Sequence, residues 1–260
     1  MVNKMYSIPS VLIAACLFSL MLGAIYVGGL AGRMSRRRET QASKDQSNTV
    51  QGSLLGLLAL LLGFTFSSSL SRFEQRSIEV VNEANAIGTA WLRTELISLE
   101  RQQEVRDLLR EYTDLRVAAA KISSSDLDRR STLILEAEIV FGNLWRLASE
   151  EARDERTPNA IAFATSLNEV IDTLASRDAA INRHVPELVM FLLFATFIKL
   201  GGVVGYSSAI SGVRPGVPVF ALMMLITVLV FLIIDLDRPR RGLIQVDQSK
   251  LFQTARAMEE

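Results

Sequence analysis

The chain has one cysteine and one histidine in 260 residues. The single cysteine, Cys16, excludes an intrachain disulfide and a cysteine-based zinc site. The single histidine, His184, excludes a histidine cluster, and with it most metal-hydrolase and Cys/His nucleophile chemistry. There is no glycine-rich phosphate loop ending in Lys-Ser/Thr and no G-x-G-x-x-G. The serine runs Ser67 to Ser69 and Ser123 to Ser125 are not framed by G-x-S-x-G. Net charge is also lacking: 28 Lys+Arg balance 28 Asp+Glu. No basic stripe with interleaved aromatics is present, so nucleic-acid binding is not expected. No cofactor or metal is expected, and the chain does not read as an enzyme.

The mean hydropathy is +0.27 although 22% of the residues are charged. Charge and apolar surface must therefore occupy different segments. Residues 8–30, 52–71 and 216–234 are free of formal charge, and residues 188–210 carry only Lys199. Each run approaches the roughly 20 residues that span a bilayer core as a helix. The first run exceeds the roughly 7–15 residues of a signal-peptide core, so it reads as a retained membrane helix.

The segment between the second and third runs has a different character. Residues 71–185 hold fifteen basic and twenty acidic side chains. Apolar residues recur there at helical spacing. Ile78, Val81, Ala84, Gly88, Trp91, Glu95 and Leu99 make one such stripe, flanked by Leu92 and Leu96. Val105, Leu108, Leu109, Tyr112, Leu115, Ala119 and Ile122 make a second; Ile134, Ala137, Phe141, Leu144, Trp145 and Ala148 a third; Ile161, Ala164, Leu167, Ile171, Leu174 and Ile181 a fourth. Nothing from Ser67 to Trp91 breaks a helix, so the second membrane helix, starting near Gly52, is expected to continue beyond the bilayer. Asp126 and Thr157-Pro158 mark helix starts. The predicted architecture is all-α, with four transmembrane helices and a helical extramembrane domain between the second and third. The expected divisions are 1–50 (first membrane helix and basic loop), 51–71 (second membrane helix), 72–185 (helical domain), 186–235 (membrane hairpin) and 236–260 (polar tail).

Four spans place both termini and the helical domain on one side. Lys4, Arg72, Arg76, Arg177, Arg183, Arg238, Arg240, Arg241 and Lys250 lie near the membrane there. Arg33, Arg36, Arg37, Arg38, Lys44 and Arg214 lie on the other. The excess of Lys/Arg favours a cytoplasmic helical domain.

Gly56, Leu60, Phe64, Ser68 and Arg72 step by four along the second helix. In a symmetric oligomer such a face could line a pore, with Leu60 and Phe64 as a hydrophobic constriction and Ser68 and Arg72 attracting an anion. The competing reading puts Leu60 and Phe64 against lipid, with Gly56 and Gly63 allowing close helix packing. Lys199 at membrane depth is an anion-attracting or charge-pairing group, or a residue that snorkels beside an irregularity at Gly201 and Gly202. Asp235 and Asp237 could hold a cation or act as acid and base. Ion pairing with Arg238, Arg240 and Arg241 competes, and Arg72 or Arg76 is a further candidate partner. His184, close to Pro186, reads as an interfacial residue, with pH sensing as the alternative.

Several stretches carry a resemblance. Leu62-Gly63-Phe64 runs on to Arg72-Phe73, and Glu83-Ala84-Asn85-Ala86-Ile87-Gly88-Thr89-Ala90 follows. Leu167-Asn168-Glu169-Val170-Ile171-Asp172 and Asp235-Leu236-Asp237-Arg238-Pro239-Arg240-Arg241-Gly242-Leu243 complete the set. Over roughly residues 52–250 they resemble the bestrophin-like family of bacterial membrane proteins, and more distantly the bestrophins. Bestrophins are pentameric anion channels with an apolar neck on the second membrane helix. The resemblance puts Leu60 and Phe64 at neck positions, with Gly56 where a bulky apolar residue would be expected. Phe73 and Glu74 replace the paired tryptophans of bestrophins, and no acidic cluster like their calcium clasp is present. The implied protein is an oligomeric, anion-conducting channel in a bacterial inner membrane, a homo-oligomer and on this resemblance a pentamer, with inorganic anions and the lipid bilayer as partners. The alternative is a membrane-anchored helical interaction or sensor module without channel activity.

Overall fold

The structure, a computed structural model, describes residues 8–35, 41–122, 126–238 and 242–259. Lys4, Arg36 to Arg38, Ser123 to Ser125 and Pro239 to Arg241 lie outside the described residues, as does the side chain of Lys44. Among the described residues every regular element is helical: α1 (Ser10–Ser35), α2 (Gln41–Arg93), α3 (Leu99–Lys121), α4 (Leu127–Asp154), α5 (Pro158–Asn182), α6 (Glu187–Ile210), α7 (Val217–Leu236) and α8 (Ser249–Ala257), with a single 3-10 turn at Thr94–Leu96. Four stretches are long and apolar enough to cross a membrane. They are α1, the uncharged part of α2, α6 and α7, so the chain is an all-α membrane protein with four transmembrane helices.

α2 has 53 residues. At about 1.5 Å per residue it is about 80 Å long, more than twice the roughly 30 Å of a hydrocarbon core. It must therefore run well outside the bilayer. It also begins earlier than the apolar run suggested, at Gln41 rather than Gly52. Neither proline nor glycine interrupts 41–51. The hydroxyls of Thr49 and Ser53 donate to the carbonyls of Asp45 and Thr49, each at 2.9 Å, so they stay on the helix instead of competing with it.

The chain divides into two compact units. The first comprises residues up to 72, 184–238 and 242–244; the second comprises 73–183 and, beyond 244, the C-terminal segment. In the first, α1 packs on α6 and α7 around Leu17, Met21, Ile25, Leu193, Phe197, Leu200 and Val230. Glycine sets the closeness of the α1–α6 contact. A Cβ at Gly28 would collide with the Gly202 carbonyl, and one at Gly205 with the Ile25 carbonyl. At Gly32 a Cβ would lie 2.6 Å from the Tyr206 carbonyl oxygen, and at Gly201 2.8 Å from that of Met21. Gly28/Gly32 and Gly201/Gly205 are thus two G-x-x-x-G faces pressed together. Lipid tails are as apolar as the side chains, so in the membrane such contact replaces the hydrophobic drive between helices. Gly201 and Gly202 therefore mark a helix contact, not an irregularity; α6 is continuous through them. Gly56 and Gly63, expected to serve close packing, meet nothing within 4 Å inside the protomer.

The second unit buries Ile87, Ala90, Val105, Leu109, Tyr112, Leu144, Ala148, Phe163, Leu167 and Val170. The C-terminal segment is not a loose tail: α8 places Leu251 and Met258 in this core. Asp126 caps α4 by accepting from the Arg129 amide at 3.3 Å, and Thr157 caps α5 by accepting from Ala160 at 3.2 Å. The expected stripes of α3 and α4 face inward, with Leu108, Leu115 and Ile134 half-buried, whereas those of α2 and α5 are partly rotated, with Ala84 and Leu167 of the expected stripes still buried. Ile78, Val81, Leu92, Leu96 and Leu99 are exposed, whereas Val80, Ala84 and Ile87 are buried. Ile161 and Ile171 are exposed, and Ala160, Phe163 and Val170 are buried. The rotation has a cause: the inward faces carry charge. Glu83 is fully buried, accepts from Arg116 Nε at 2.8 Å and is also bonded by Arg177 Nη1. Arg177 Nη2 donates to Gln248 Oε1 at 2.7 Å. Burial alone would lower the Arg116 pKa, but the facing Glu83 carboxylate outweighs it and the value is raised. Burial pushes the Tyr112 phenol far above its ordinary value. Its ring packs edge-on to Phe141 with centroids 5.3 Å apart.

Gly205→Ala is expected to lower the melting temperature of the detergent-solubilised protein by an amount matching about 1–3 kcal/mol of overpacking, while Gly56→Ala leaves it unchanged. Equal melting temperatures for the two variants would contradict the glycine contact. Glu83→Ala strands two buried guanidiniums and is expected to cost about 3–5 kcal/mol, read as loss of monodisperse protein on size exclusion.

Candidate functional site

The second membrane helix has two unlike faces. Leu58, Thr65 and Ser69 are buried, and Leu55, Leu61, Leu62 and Phe66 pack against the core of the first unit. The Thr65 hydroxyl is satisfied within the helix, donating to the Leu61 carbonyl at 2.7 Å. The opposite face is open. Gly56 and Ser68 are exposed, Leu60 is 56% exposed and Phe64 66%. Among the described residues, most of the Phe64 surface is left uncovered.

Arg72 departs from this face. Each step of four residues overshoots a full turn by about 40° at 3.6 residues per turn, so the spacing from Gly56 to Arg72 drifts about 160°. The drift carries Arg72 to the packed side. Its side chain is about a quarter exposed, with Nη1 4.0 Å from Asp237 Oδ1. Arg72 is thus a counter-charge to Asp237 rather than a solvated cation in line with Phe64. Of the two arginines considered as partners, Arg72 is paired with Asp237. Arg76 donates from Nε to the Ala180 carbonyl at 3.1 Å and from Nη2 to the Arg183 carbonyl at 2.6 Å.

The end of α7 gathers three further candidate residues. Asp235 is buried, and its carboxylate accepts from the Ile244 amide at 2.9 Å. A Cβ on Gly242 would fall 2.7 Å from that carboxylate, so the returning chain fits only as glycine. Both Asp237 oxygens lie 3.1 Å from the Val185 amide. His184 Nδ1 lies 3.2 Å from the Asp237 carbonyl and 3.6 Å from its carboxylate. Arg238 Nη1 donates to the Ile8 carbonyl. Negative charge at a helix C-terminus opposes the helix dipole, and these donors offset that cost. The two carboxylates are committed to tying the chain at 184–185 and 242–244 to α7. Among the described residues no group of three or more His, Cys, Asp and Glu could hold a metal ion.

Lys199 is exposed on α6, and among the described residues it has no hydrogen bond or ion pair. The structure therefore brings Arg72, Asp237 and Arg238 into one cluster with Asp235 close by, and leaves Leu60, Phe64, Ser68 and Lys199 on protomer surface. Two sets of residues escaped the sequence reading. The Gly28/Gly32 and Gly201/Gly205 spacing was legible as paired G-x-x-x-G. Glu83, Arg116 and Arg177 gave no signal, because charged residues at helical spacing look like a solvated face.

Comparison with known proteins agrees with this architecture. A family model described as Bestrophin-like domain matches residues 14–251. No curated protein matches the chain. Two crystal structures of a bacterial bestrophin homologue from Klebsiella pneumoniae, each a single-substitution variant, share the fold. One superposes with a TM-score of 0.63 at 14% identity, covering 92% of this chain and 96% of that one. The other has a TM-score of 0.63 at 15% identity, covering 93% and 96%.

Asp237→Ala removes the acceptor for the Val185 amide and the counter-charge of Arg72. Each buried donor left unsatisfied costs about 1–3 kcal/mol. A fall in melting temperature is expected that Asp172→Ala, at an exposed position, does not reproduce.

Proposed function

The chain belongs to the bestrophin-like family, and from that premise we propose that it is an oligomeric ion channel, anion-conducting, with α2 of each subunit lining the pore. The observation that carries the proposal is the open face of Leu60, Phe64 and Ser68 on a helix whose other face is packed. One helix offers one face, so a pore needs several copies around an axis. A ring of Leu60 and Phe64 is apolar and bulky enough to constrict and to gate by dewetting. The more distant resemblance to bestrophins supports a pentamer as the assembly expected.

Lys199 fits the same proposal. A cation at the centre of a membrane helix costs about 2.5–3.5 kcal/mol on insertion scales. A neighbouring subunit or a hydrated path relieves that cost, and its charge would favour anions there. We read the helical unit as cytoplasmic and the membrane as a bacterial inner membrane; the excess of lysine and arginine near the spans on that side supports this reading.

The first test is the mass and symmetry of the particle in nanodiscs, by native mass spectrometry with imaging. A ring of about five subunits supports the pore, whereas a monomer or simple dimer removes it. With the ring intact, Phe64→Ala is expected to raise anion flux into liposomes several-fold. Unchanged flux in an intact ring would falsify the neck assignment.

A further inference from the structure

α1 and α6 run parallel, since Met21 meets Gly201, Ile25 meets Gly205 and Gly32 meets Tyr206. Their C-terminal ends therefore share one end of the membrane unit, and that end is basic. Residues 31–50 hold five basic side chains and two acidic ones, and the turn 211–216 adds Arg214 and no acid. Arg33 stands in the last turn of α1 and is the first charge after its apolar run. Arg214 stands just before the uncharged run of α7. Both arginines thus lie where an apolar span gives way to headgroups.

An open groove of about 550 Å³ lies at this end, between α1, the end of α6 and the start of α7. Arg33 and Arg214 both line it, and none of its lining residues is acidic. Both are exposed, and among the described residues neither has a hydrogen bond or ion pair. The backbone that carries Arg214 is fixed. Gly212 takes a left-handed φ of 74°, and the Val213 amide donates to the Ser208 carbonyl at 3.0 Å, closing the end of α6.

The rest of the groove is apolar. Leu30, Tyr26 and Leu22 line it one, two and three turns back from Arg33, and Phe220 lines it one turn into α7. From Leu22 to Arg33 the helix rises about 16 Å. That is about half of a roughly 30 Å hydrocarbon core, so the wall has the depth of one leaflet. Gly29 keeps the floor open: a Cβ there would meet nothing nearer than the Gly205 carbonyl oxygen at 3.8 Å. An apolar trough one leaflet deep, with two guanidiniums and no carboxylate at its mouth, matches a chain with an anionic head. Arginine forks suit phosphate oxygens. A zwitterionic head brings its own cation, which two arginines disfavour.

We propose that this groove seats an anionic phospholipid, with its phosphate between Arg33 and Arg214 and one acyl chain along Leu30, Tyr26 and Leu22. The site lies wholly within the membrane unit. It requires only that the four helices span a bilayer, and it stands whether or not the protein conducts ions.

The experiment uses the full-length protein, delipidated in detergent. Phosphatidylglycerol, phosphatidylcholine and inorganic phosphate are titrated separately, with native mass spectrometry and thermal shift as readouts. Phosphatidylglycerol is expected to bind saturably and about tenfold or more tighter than phosphatidylcholine, and inorganic phosphate is expected to leave the melting temperature unchanged. Arg33→Gln and Arg214→Gln are each expected to weaken phosphatidylglycerol binding about fivefold, and the double variant to hold the two lipids alike. Gly29→Leu fills the floor and is expected to weaken both lipids while the protein remains folded and its assembly keeps its mass. Equal affinity for the two lipids in the unaltered protein, or a preference that survives in the double variant, overturns the proposal. Stabilisation by inorganic phosphate equal to that by the lipid makes the arginines a free-anion site and also overturns it. Loss of the assembly in Gly29→Leu would put a second copy of the chain in the groove, with the same consequence.

Discussion

The glycine contact between α1 and α6 is the constraint on which the membrane unit depends. Helices in lipid gain little from apolar burial against each other. Their association must come from close backbone approach, and Gly28, Gly32, Gly201 and Gly205 let the two backbones meet where any side chain would collide. With α1 seated on α6, Met21 and Ile25 reach the same core as Phe197 and Leu200, and α7 completes it through Val230 and Ile233. α2 joins this core by one face only, which is why its other face remains open.

The helical unit solves a different problem. In water its helices can bury apolar area, and they do so around Leu109, Leu144 and Phe163. Yet the unit also buries Glu83 with Arg116 and Arg177. A buried ion pair contributes little net stability against a well-packed apolar equivalent. Its value is geometric: one carboxylate fixes α2, α3 and α5 relative to one another, and Gln248 extends the network to the C-terminal segment.

These two solutions meet in α2. It carries an open apolar face where it crosses the membrane, a counter-charge for Asp237 at Arg72, a carbonyl-capping guanidinium at Arg76 and the buried Glu83 beyond. No proline interrupts it.

The sequence alone determined the class of the fold. Uncharged runs of about 20 residues must become helices in lipid, since no water is there to satisfy the backbone, and Thr157-Pro158 and Asp126 announced their helix starts locally. The apolar stripes of α3 and α4 were legible although Arg116 and Glu151 are buried on those helices, because apolar residues at helical spacing still dominate the inward faces. Only the tertiary structure decided which face of α2 and α5 turns inward, because there the buried face carries Glu83 and Arg177 and hydropathy points about one residue away. It also decided the roles of Asp235 and Asp237, whose partners at Ile244, Val185 and Arg72 include long-range ones that no local pattern encodes. Periodicity reports what a helix could bury, whereas partners distant in sequence determine what it does bury.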